Sequence, residues 1–309
     1  MDHMIEVLQT VLPVLLMLGI GMLCRSRKMI SREGIGALKS VVVDIALPAV
    51  LINAFATTKY TVMDIVIPLF MFLVCLAAWG IGRAAGKILH LESQFVPFLT
   101  TGFEAGMLGY APFNMLYGSE RTADFARIDL GQVLFVFTLY KVLLGLLTRE
   151  QVDVKQLVKE MVFSPIIIAI VSGVLLGATG LYQALVPTGV SGIIDSCTSF
   201  IAAPTSALIL LTIGYDLVLS DIPWRSVCSV VALRLCIMLI LRLLLGLILG
   251  RLWPESTLTA ALNVMFILPP PFVLPVFADD ADQRVYVSSV LSVSTLVAII
   301  GFAVLAVFR

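Results

Sequence analysis

The chain has few charges and few residues of the kinds that bind metals. Charged residues make up 13% of its 309 residues, against about a quarter in an ordinary soluble domain. There are two histidines and five cysteines, with no Cys-x-x-Cys pair, so no metal site is expected and the cysteines are interpreted as small apolar residues. The formal net charge is zero, so no basic excess indicates nucleic-acid binding.

Sequence motifs of common enzymes are missing as well. The chain contains no Gly-x-Ser-x-Gly elbow and no His-Glu-x-x-His pair. We therefore expect neither catalytic residues nor a bound cofactor.

What the chain does contain is long apolar segments. Hydrophobic residues make up 60% of the sequence, and the mean hydropathy is +1.07. A helix needs about 20 mostly apolar residues to cross the hydrocarbon of a bilayer. The sequence predicts an all-α polytopic membrane protein with ten spans, at residues 5–24, 35–55, 62–88, 95–117, 124–147, 161–183, 190–214, 226–250, 256–278 and 284–307.

The ten predicted spans divide into two similar halves. Pro48 in span two aligns with Pro204 in span seven, and Glu92 before span four aligns with Glu255 before span nine. Because each half has five spans, an odd number, the second half must be inverted relative to the first. The predicted parts are a five-helix repeat at 1–148, a cytoplasmic connector at 149–160 and an inverted five-helix repeat at 161–309.

Basic residues are distributed unequally between the two sides of the predicted membrane. The connections after the odd-numbered spans contain Arg25, Arg27, Lys28, Arg32, Arg83, Lys87, Arg149, Lys155, Lys159, Arg225 and Arg284. The opposite side contains Lys59, Arg121, Arg127, Arg251 and Arg309. The positive-inside rule places the first group in the cytoplasm and both termini on the non-cytoplasmic side.

Helix-breaking residues occur in two corresponding spans, four and nine. Span four contains Gly106, Gly109 and Pro112, and span nine contains three consecutive prolines from Pro269. An interior proline costs a helix about 3 kcal/mol, so the backbone of residues 268–272 is predicted to be non-helical. Within lipid, unpaired backbone is tolerated only where it is buried in protein or lines a polar cavity. A matched pair of interrupted spans indicates the binding site of a secondary transporter.

The two interruptions also indicate how a solute would be bound. Where a helix resumes after a break, its free N–H groups and its positive dipole end attract an anion without an arginine. The candidate substrate-binding residues are Glu104, Gly106, Gly109, Tyr110, Pro112, Asn114, Asn263, Pro269, Pro270, Pro271 and Phe272. The alternatives are a proline kink that only shapes the helix bundle and asparagines that only bridge helices.

Ionisable and hydroxyl side chains within the predicted spans are candidates for binding a coupling ion. Glu104 lies near the middle of span four, where an ionisable side chain is by default a functional hypothesis. It could accept and release a proton, bind Na⁺ or pair with a cation, or it could only connect helices. The coupling-ion candidates are Glu104, Asp129, Gln132, Ser294 and Thr295.

Span eight contains two arginines, Arg234 and Arg242, near the same helix face. Long basic side chains often extend towards the headgroups. We expect these two arginines to do so, or to pair with Asp216 or Asp221.

Several short motifs occur here in the same order as in the auxin efflux carrier family. They are Ser164-Pro165, Leu185-Val-Pro187, Thr212-Ile-Gly214-Tyr-Asp216-Leu217, the segment from Leu268-Pro269 to Val276-Phe-Ala278, and Ser292-Val293-Ser294-Thr295-Leu296. The chain resembles that family over nearly its whole length, and most closely its bacterial branch of small-carboxylate, malonate-type carriers. It departs from the family pattern Asn-x-Gly-x-x-Gly-x-Pro in span four, where the carboxylate of Glu104 replaces the amide.

The resemblance implies a fold and a function. The fold would be two inverted repeats with broken spans four and nine crossing near the membrane centre. Spans 1, 2, 6 and 7 would form a dimerising scaffold, and spans 3–5 and 8–10 a moving transport domain. The function would be elevator-type secondary transport of small organic anions across the bacterial inner membrane, with H⁺, Na⁺ or no coupling ion. The alternatives are a Na⁺-coupled symporter of bile-acid-carrier type and a membrane ligand sensor that transports nothing.

Overall fold

The computed structural model describes residues 2–57, 63–91, 93–147, 155–156, 159, 162–217, 222–253, 258–278 and 281–308. Within these residues every regular element is helical, which confirms the predicted all-α class. Most of the predicted connector at 149–160 lies outside the described residues, as do Glu92 and Glu255 of the repeat comparison.

The helices are numbered here in chain order. They are α1 (Asp2–Ser26), α2 (Arg32–Ala56), α3 (Met63–Ile88), α4 (Val96–Leu99), α5 (Tyr110–Tyr117), α6 (Ser119–Leu147), α7 (Pro165–Ala178), α8 (Leu181–Leu185), α9 (Val190–Ala202), α10 (Thr205–Asp216), α11 (Trp224–Leu252), α12 (Thr259–Ile267) and α13 (Ala281–Val307). Wider π turns occur at Val42–Ala46, Ala105–Gly109 and Val136–Tyr140, and 3₁₀ turns at Ser119–Arg121, Val186–Thr188 and Leu274–Phe277.

Six helical stretches in the described residues, one of which comprises α9 and α10, are long and apolar enough to cross a membrane. They are Arg32–Ala56, Asp64–Ile88, Ser119–Leu147, Val190–Asp216, Trp224–Leu252 and Asp282–Val307. A seventh candidate joins Pro165–Ala178 to Leu181–Thr188 with a bend of 70°. Predicted span one lies within α1, of which Leu12–Ser26 forms a shorter apolar stretch.

The predicted non-helical backbone of residues 268–272 is confirmed. Helix α12 ends at Ile267, and Leu268 adopts an extended conformation with ψ 149°. The three prolines that follow lie outside any helix, and the chain next forms the 3₁₀ turn Leu274–Phe277. Proline has no N–H to donate and its ring clashes with the preceding helical turn, so no helix passes through this segment.

The segment predicted as span four also contains non-helical backbone, but the predicted position of the break between Gly106 and Pro112 is wrong. The helix stops after α4, residues 100–104 are non-helical, and Gly102 has a φ of +66° that favours glycine. Pro112 lies inside α5, directly after the π turn Ala105–Gly109. Because a π turn is wider than an α turn and commonly adjusts a helix around an irregular residue, the helix continues past this proline.

The chain forms two compact units. Unit 1 consists of Met1–Ile65, Gly106–Ala126 and Lys159–Leu217, and unit 2 of Val66–Ala105, Arg127–Val158 and Val218–Arg309.

Close backbone contacts at glycines connect the helices of unit 1. A Cβ atom on Gly21 of α1 would overlap the carbonyl of Leu211, and one on Gly214 of α10 would overlap that of Leu18. Gly173 of α7 lies equally close to α2. Small residues at helix contacts matter in membranes, because lipid tails are as apolar as side chains and close van der Waals packing must drive association.

Aromatic side chains fill the core of unit 2. Phe98 of α4 and Tyr140 of α6 pack edge to face with ring centroids 5.2 Å apart, and Phe135 lies 6.0 Å from the same tyrosine. Phe103 packs against Phe266 of α12 at 5.4 Å. The Phe103–Phe266 pair joins the first non-helical segment to the end of α12.

Candidate functional site

The two interruptions meet inside unit 2. The N–H of Glu104 donates to the carbonyl of Pro269 at 2.9 Å, and the N–H of Phe272 donates to Glu104 Oε2 at 2.6 Å. We call the segments Leu99–Glu104 and Leu268–Phe272 the crossing. Glu104 therefore connects the two segments through both its main chain and its carboxylate.

A buried arginine of α11 donates hydrogen bonds to main-chain carbonyls of both segments of the crossing. Arg234 Nη1 donates to the carbonyls of Leu99 at 3.1 Å and Thr101 at 3.3 Å. Its Nη2 donates to Gly102 at 2.7 Å and Leu268 at 2.9 Å. The last carbonyls of a helix have no partner within it. Arg234 thus satisfies oxygens that the ends of α4 and α12 leave free.

The expectation that Arg234 extends towards the headgroups or pairs with an aspartate is wrong, whereas pairing of Arg242 with Asp221 is not tested. Arg234 is only 3% exposed, and its acceptors in the described structure are main-chain oxygens. Arg242 donates from Nε and Nη2 to Asn263 Oδ1, at 3.0 and 2.6 Å. Asp216 instead pairs with Lys39 in unit 1, and Asp221 lies outside the described residues. An arginine at mid-span was the signal in the sequence for a role at the crossing, since a charge there is costly.

Asp129 and Gln132 of α6 lie beside the first interruption, on one helix face as predicted. The N–H of Phe103 donates to Gln132 Oε1 at 3.4 Å, and Gln132 Nε2 donates to Asp129 Oδ1 at 2.9 Å. Both polar side chains are buried. They give the non-helical backbone an acceptor that it would otherwise lack in lipid.

Of the two hydroxyl candidates in α13, one faces the crossing. Ser294 lines a small cavity of about 10 Å³ together with Arg234 and Leu268. Its Oγ is buried and has no hydrogen-bond partner among the described residues. Thr295 Oγ1 donates to the carbonyl of Leu291, one turn earlier in its own helix, at 2.8 Å.

Unit 1 contains a cavity of about 470 Å³ with many hydroxyl and amide groups. Tyr110 and Asn114 of α5 line it, as do Asn53 of α2 and residues of α9 and α10. Asn114 Oδ1 accepts from Thr122 Oγ1 at 2.8 Å, and Asn53 Nδ2 donates to Thr198 Oγ1 at 3.1 Å. The cavity is large enough for a small organic solute.

The predicted substrate-binding residues therefore fall into separate groups. Glu104, Pro269, Pro270, Pro271 and Phe272 belong to the crossing in unit 2, whereas Tyr110 and Asn114 line the cavity of unit 1. Gly106, Gly109 and Pro112 lie in the helical segment that leads into α5, and Asn263 contacts Arg242. Sequence reasoning missed Arg234, Gly102 and the hydroxyl-rich lining around Asn53.

Comparison with known proteins identifies the family. No curated protein matches the chain with significant similarity. The family model described as membrane transport protein, that of the auxin efflux carriers, matches residues 6–306. This match covers nearly the whole chain and agrees with its apolar helices. The chain belongs to the auxin efflux carrier family of membrane transport proteins and is an integral membrane transporter.

Proposed function

We propose that the protein is a secondary active transporter of small organic anions, mono- or dicarboxylates such as malonate or malate. The observation that carries this proposal is the crossing, where two interrupted helices exchange hydrogen bonds through Glu104. Interrupted helices supply main-chain N–H and C=O groups at membrane depth, where continuous helices have none to offer. Anionic solutes are the class that such N–H groups and helix N-termini attract.

The proposed fold has ten spans in two inverted repeats. In this arrangement α4 and α5 form span four, and α12 with the 3₁₀ turn Leu274–Phe277 forms span nine. The six long candidate spans and the bent pair support this fold. The six coincide with predicted spans two, three, five, seven, eight and ten, and the bent pair coincides with predicted span six. The proposed location is the bacterial inner membrane, with both termini on the non-cytoplasmic side.

The proposed mechanism is an elevator. Spans 3–5 and 8–10 would move the bound anion past a dimeric scaffold of spans 1, 2, 6 and 7. The division of the chain into two compact units supports this, since unit 1 contains α1, α2 and α7–α10, and unit 2 contains α11–α13. The exceptions are α5, the second half of span four, and the start of α6 up to Ala126, which belong to unit 1.

Glu104 gives the proposal a link to protons. An ionised Glu104 would repel an arriving carboxylate and already occupies the Phe272 N–H. Protonation removes that repulsion, and by linkage the bound anion would in turn favour the protonated form. Anion and proton would then bind together, which is proton-coupled symport.

Uptake by proteoliposomes tests the proposal. Labelled mono- and dicarboxylates are offered with proton and Na⁺ gradients imposed separately, to the wild type, Glu104→Gln and the exposed control Glu33→Gln. We expect proton-driven uptake in the wild type and the control, and its loss in Glu104→Gln. Absence of uptake of every carboxylate by folded protein would refute the proposal, and ligand binding without uptake would favour the sensor alternative.

A further inference from the structure

The environment of Arg234 has the composition of a cation site. Two main-chain oxygens bind each Nη atom, at 2.7 to 3.3 Å, and the four oxygens come from both segments of the crossing. Unwound carbonyls and helix C-terminal ends are the groups that coordinate the coupling cation in transporters with interrupted helices. Here a covalently attached guanidinium contacts them.

We propose that Arg234 is a built-in cation that takes the place of a coupling Na⁺ at the crossing, so that the protein needs no alkali ion there. In this role Arg234 supplies the cation that stabilises the crossing, whichever solute the protein transports.

The hydrogen-bond geometry favours a permanent role. Each Nη atom carries two N–H groups, so the four bonds use all four of them. The guanidinium is charged at every physiological pH, and its planar fork fixes the directions of the donors. The centroid of the Phe103 ring lies 5.5 Å from the guanidinium carbon, within the range of a cation–π contact.

The position of Ser294 indicates what removal of the guanidinium would leave behind. Its Oγ, which has no hydrogen-bond partner in the part of the chain that the structure describes, lines the same small cavity as Arg234 and Leu268. Truncation to alanine would join this cavity to the space of the lost side chain. Four carbonyl oxygens and one hydroxyl would then surround a space without a cation. Oxygen atoms of this kind are hard ligands and suit Na⁺.

The test measures thermal unfolding of purified protein in NaCl, KCl and choline chloride at equal ionic strength, and with millimolar methylguanidinium added. The variants are Arg234→Ala, Arg234→Lys and Arg242→Gln, which removes an arginine of the same helix that contacts one amide oxygen. No substrate is needed, so failure of this inference is distinguishable from failure of the transport proposal.

We expect the wild type, Arg234→Lys and Arg242→Gln to unfold at the same temperature in Na⁺ and K⁺. Arg234→Ala should gain a saturable stabilisation by Na⁺ or methylguanidinium, of about 5 °C at 100 times Kd. If this variant does not fold, Arg234→Lys decides, because it keeps the charge and should stay insensitive to Na⁺.

Two results would overturn the inference. One is a saturable stabilisation of the wild type or of Arg234→Lys by Na⁺, which would mean that the crossing has a separate alkali-ion site. The other is folded Arg234→Ala protein that responds to none of the cations, which would mean that the four carbonyls do not need one.

Discussion

The two segments of the crossing leave the helical conformation by different means. The first, after α4, contains no proline between residues 100 and 104 and turns at Gly102 with a φ of +66°. The second, after α12, contains three consecutive prolines and begins in an extended conformation at Leu268. Arg234 donates three of its four hydrogen bonds to the first segment and one to the second.

This difference indicates which segment needs hydrogen bonds from neighbouring side chains to keep its non-helical conformation. The prolines of the second segment exclude a helix through covalent structure, whatever they contact. In the first segment, side chains satisfy the freed groups: Arg234 binds the carbonyls, Gln132 accepts from the Phe103 N–H, and Thr101 donates to the Cys75 carbonyl at 2.5 Å. The first segment should therefore be the sensitive one, and substitutions can test that.

The largest expected effect is that of Arg234→Met. The change leaves four buried carbonyls without donors, and an unsatisfied buried group costs about 1–3 kcal/mol. We expect the free energy of unfolding in detergent to fall by about 3 kcal/mol or more. Arg242→Met is the control, since it frees a single amide oxygen on the same helix. Equal losses in the two variants would contradict the comparison.

Gly102→Ala should have the next largest effect. A left-handed conformation costs a non-glycine residue about 1–2 kcal/mol, and the new Cβ would lie 2.9 Å from Pro271 Cγ. We expect a loss of about 2 kcal/mol in the same unfolding measurement. Gly36→Ala is the matched control, because that exposed helical glycine has open space around it. A neutral Gly102→Ala would show that the first segment is more tolerant than proposed here.

Glu104→Gln tests the link between the two segments. The amide oxygen can still accept from the Phe272 N–H, but the bond loses the strength that a charge adds, about 1 kcal/mol. Glu104→Ala should be more destabilised, because it removes the acceptor altogether. The free energy of unfolding of the two variants is measured side by side. Identical losses would mean that this hydrogen bond contributes nothing to stability.

The smallest effect is expected for Pro270→Ala. Pro269 and Pro271 remain and still exclude a helix, so the loss should stay within about 1 kcal/mol despite the buried position. Hydrogen exchange of the segment should remain as in the wild type. A larger loss than for Gly102→Ala would reverse the ranking of the two segments.

The sequence predicts the second interruption and misplaces the first for one physical reason. Three adjacent prolines have no helical solution, whereas a single Pro112 has one, provided that a π turn precedes it. Nothing in the sequence distinguishes Gly102, which turns the chain, from Gly106 and Gly109, which lie in that π turn. Local pattern therefore predicts a break only where every conformation of the helix is excluded.

The sequence indicates which types of residue belong to the site, but it does not indicate most of their contacts. The spacing of Asp129 and Gln132 places them on one face, and mid-span Glu104 indicates a polar contact. The mid-span charge of Arg234 indicates a role for this residue, but its partners could not be predicted, because they are carbonyls that become free only where the helices stop. Every residue has a main-chain carbonyl, so the residue types do not indicate which carbonyls are free to accept a hydrogen bond.

The glycine contacts between α1 and α10 bear on how the protein is made. Gly21 and Gly214 are separated by nearly two thirds of the chain, yet each meets the backbone of the other helix. In the proposed ten-span fold, α1 enters the membrane long before α10 leaves the ribosome, so α1 is in the lipid without this contact during most of synthesis. The packing of unit 1 is therefore completed late in translation, and a chain that stops before α10 would leave α1 without its glycine contacts.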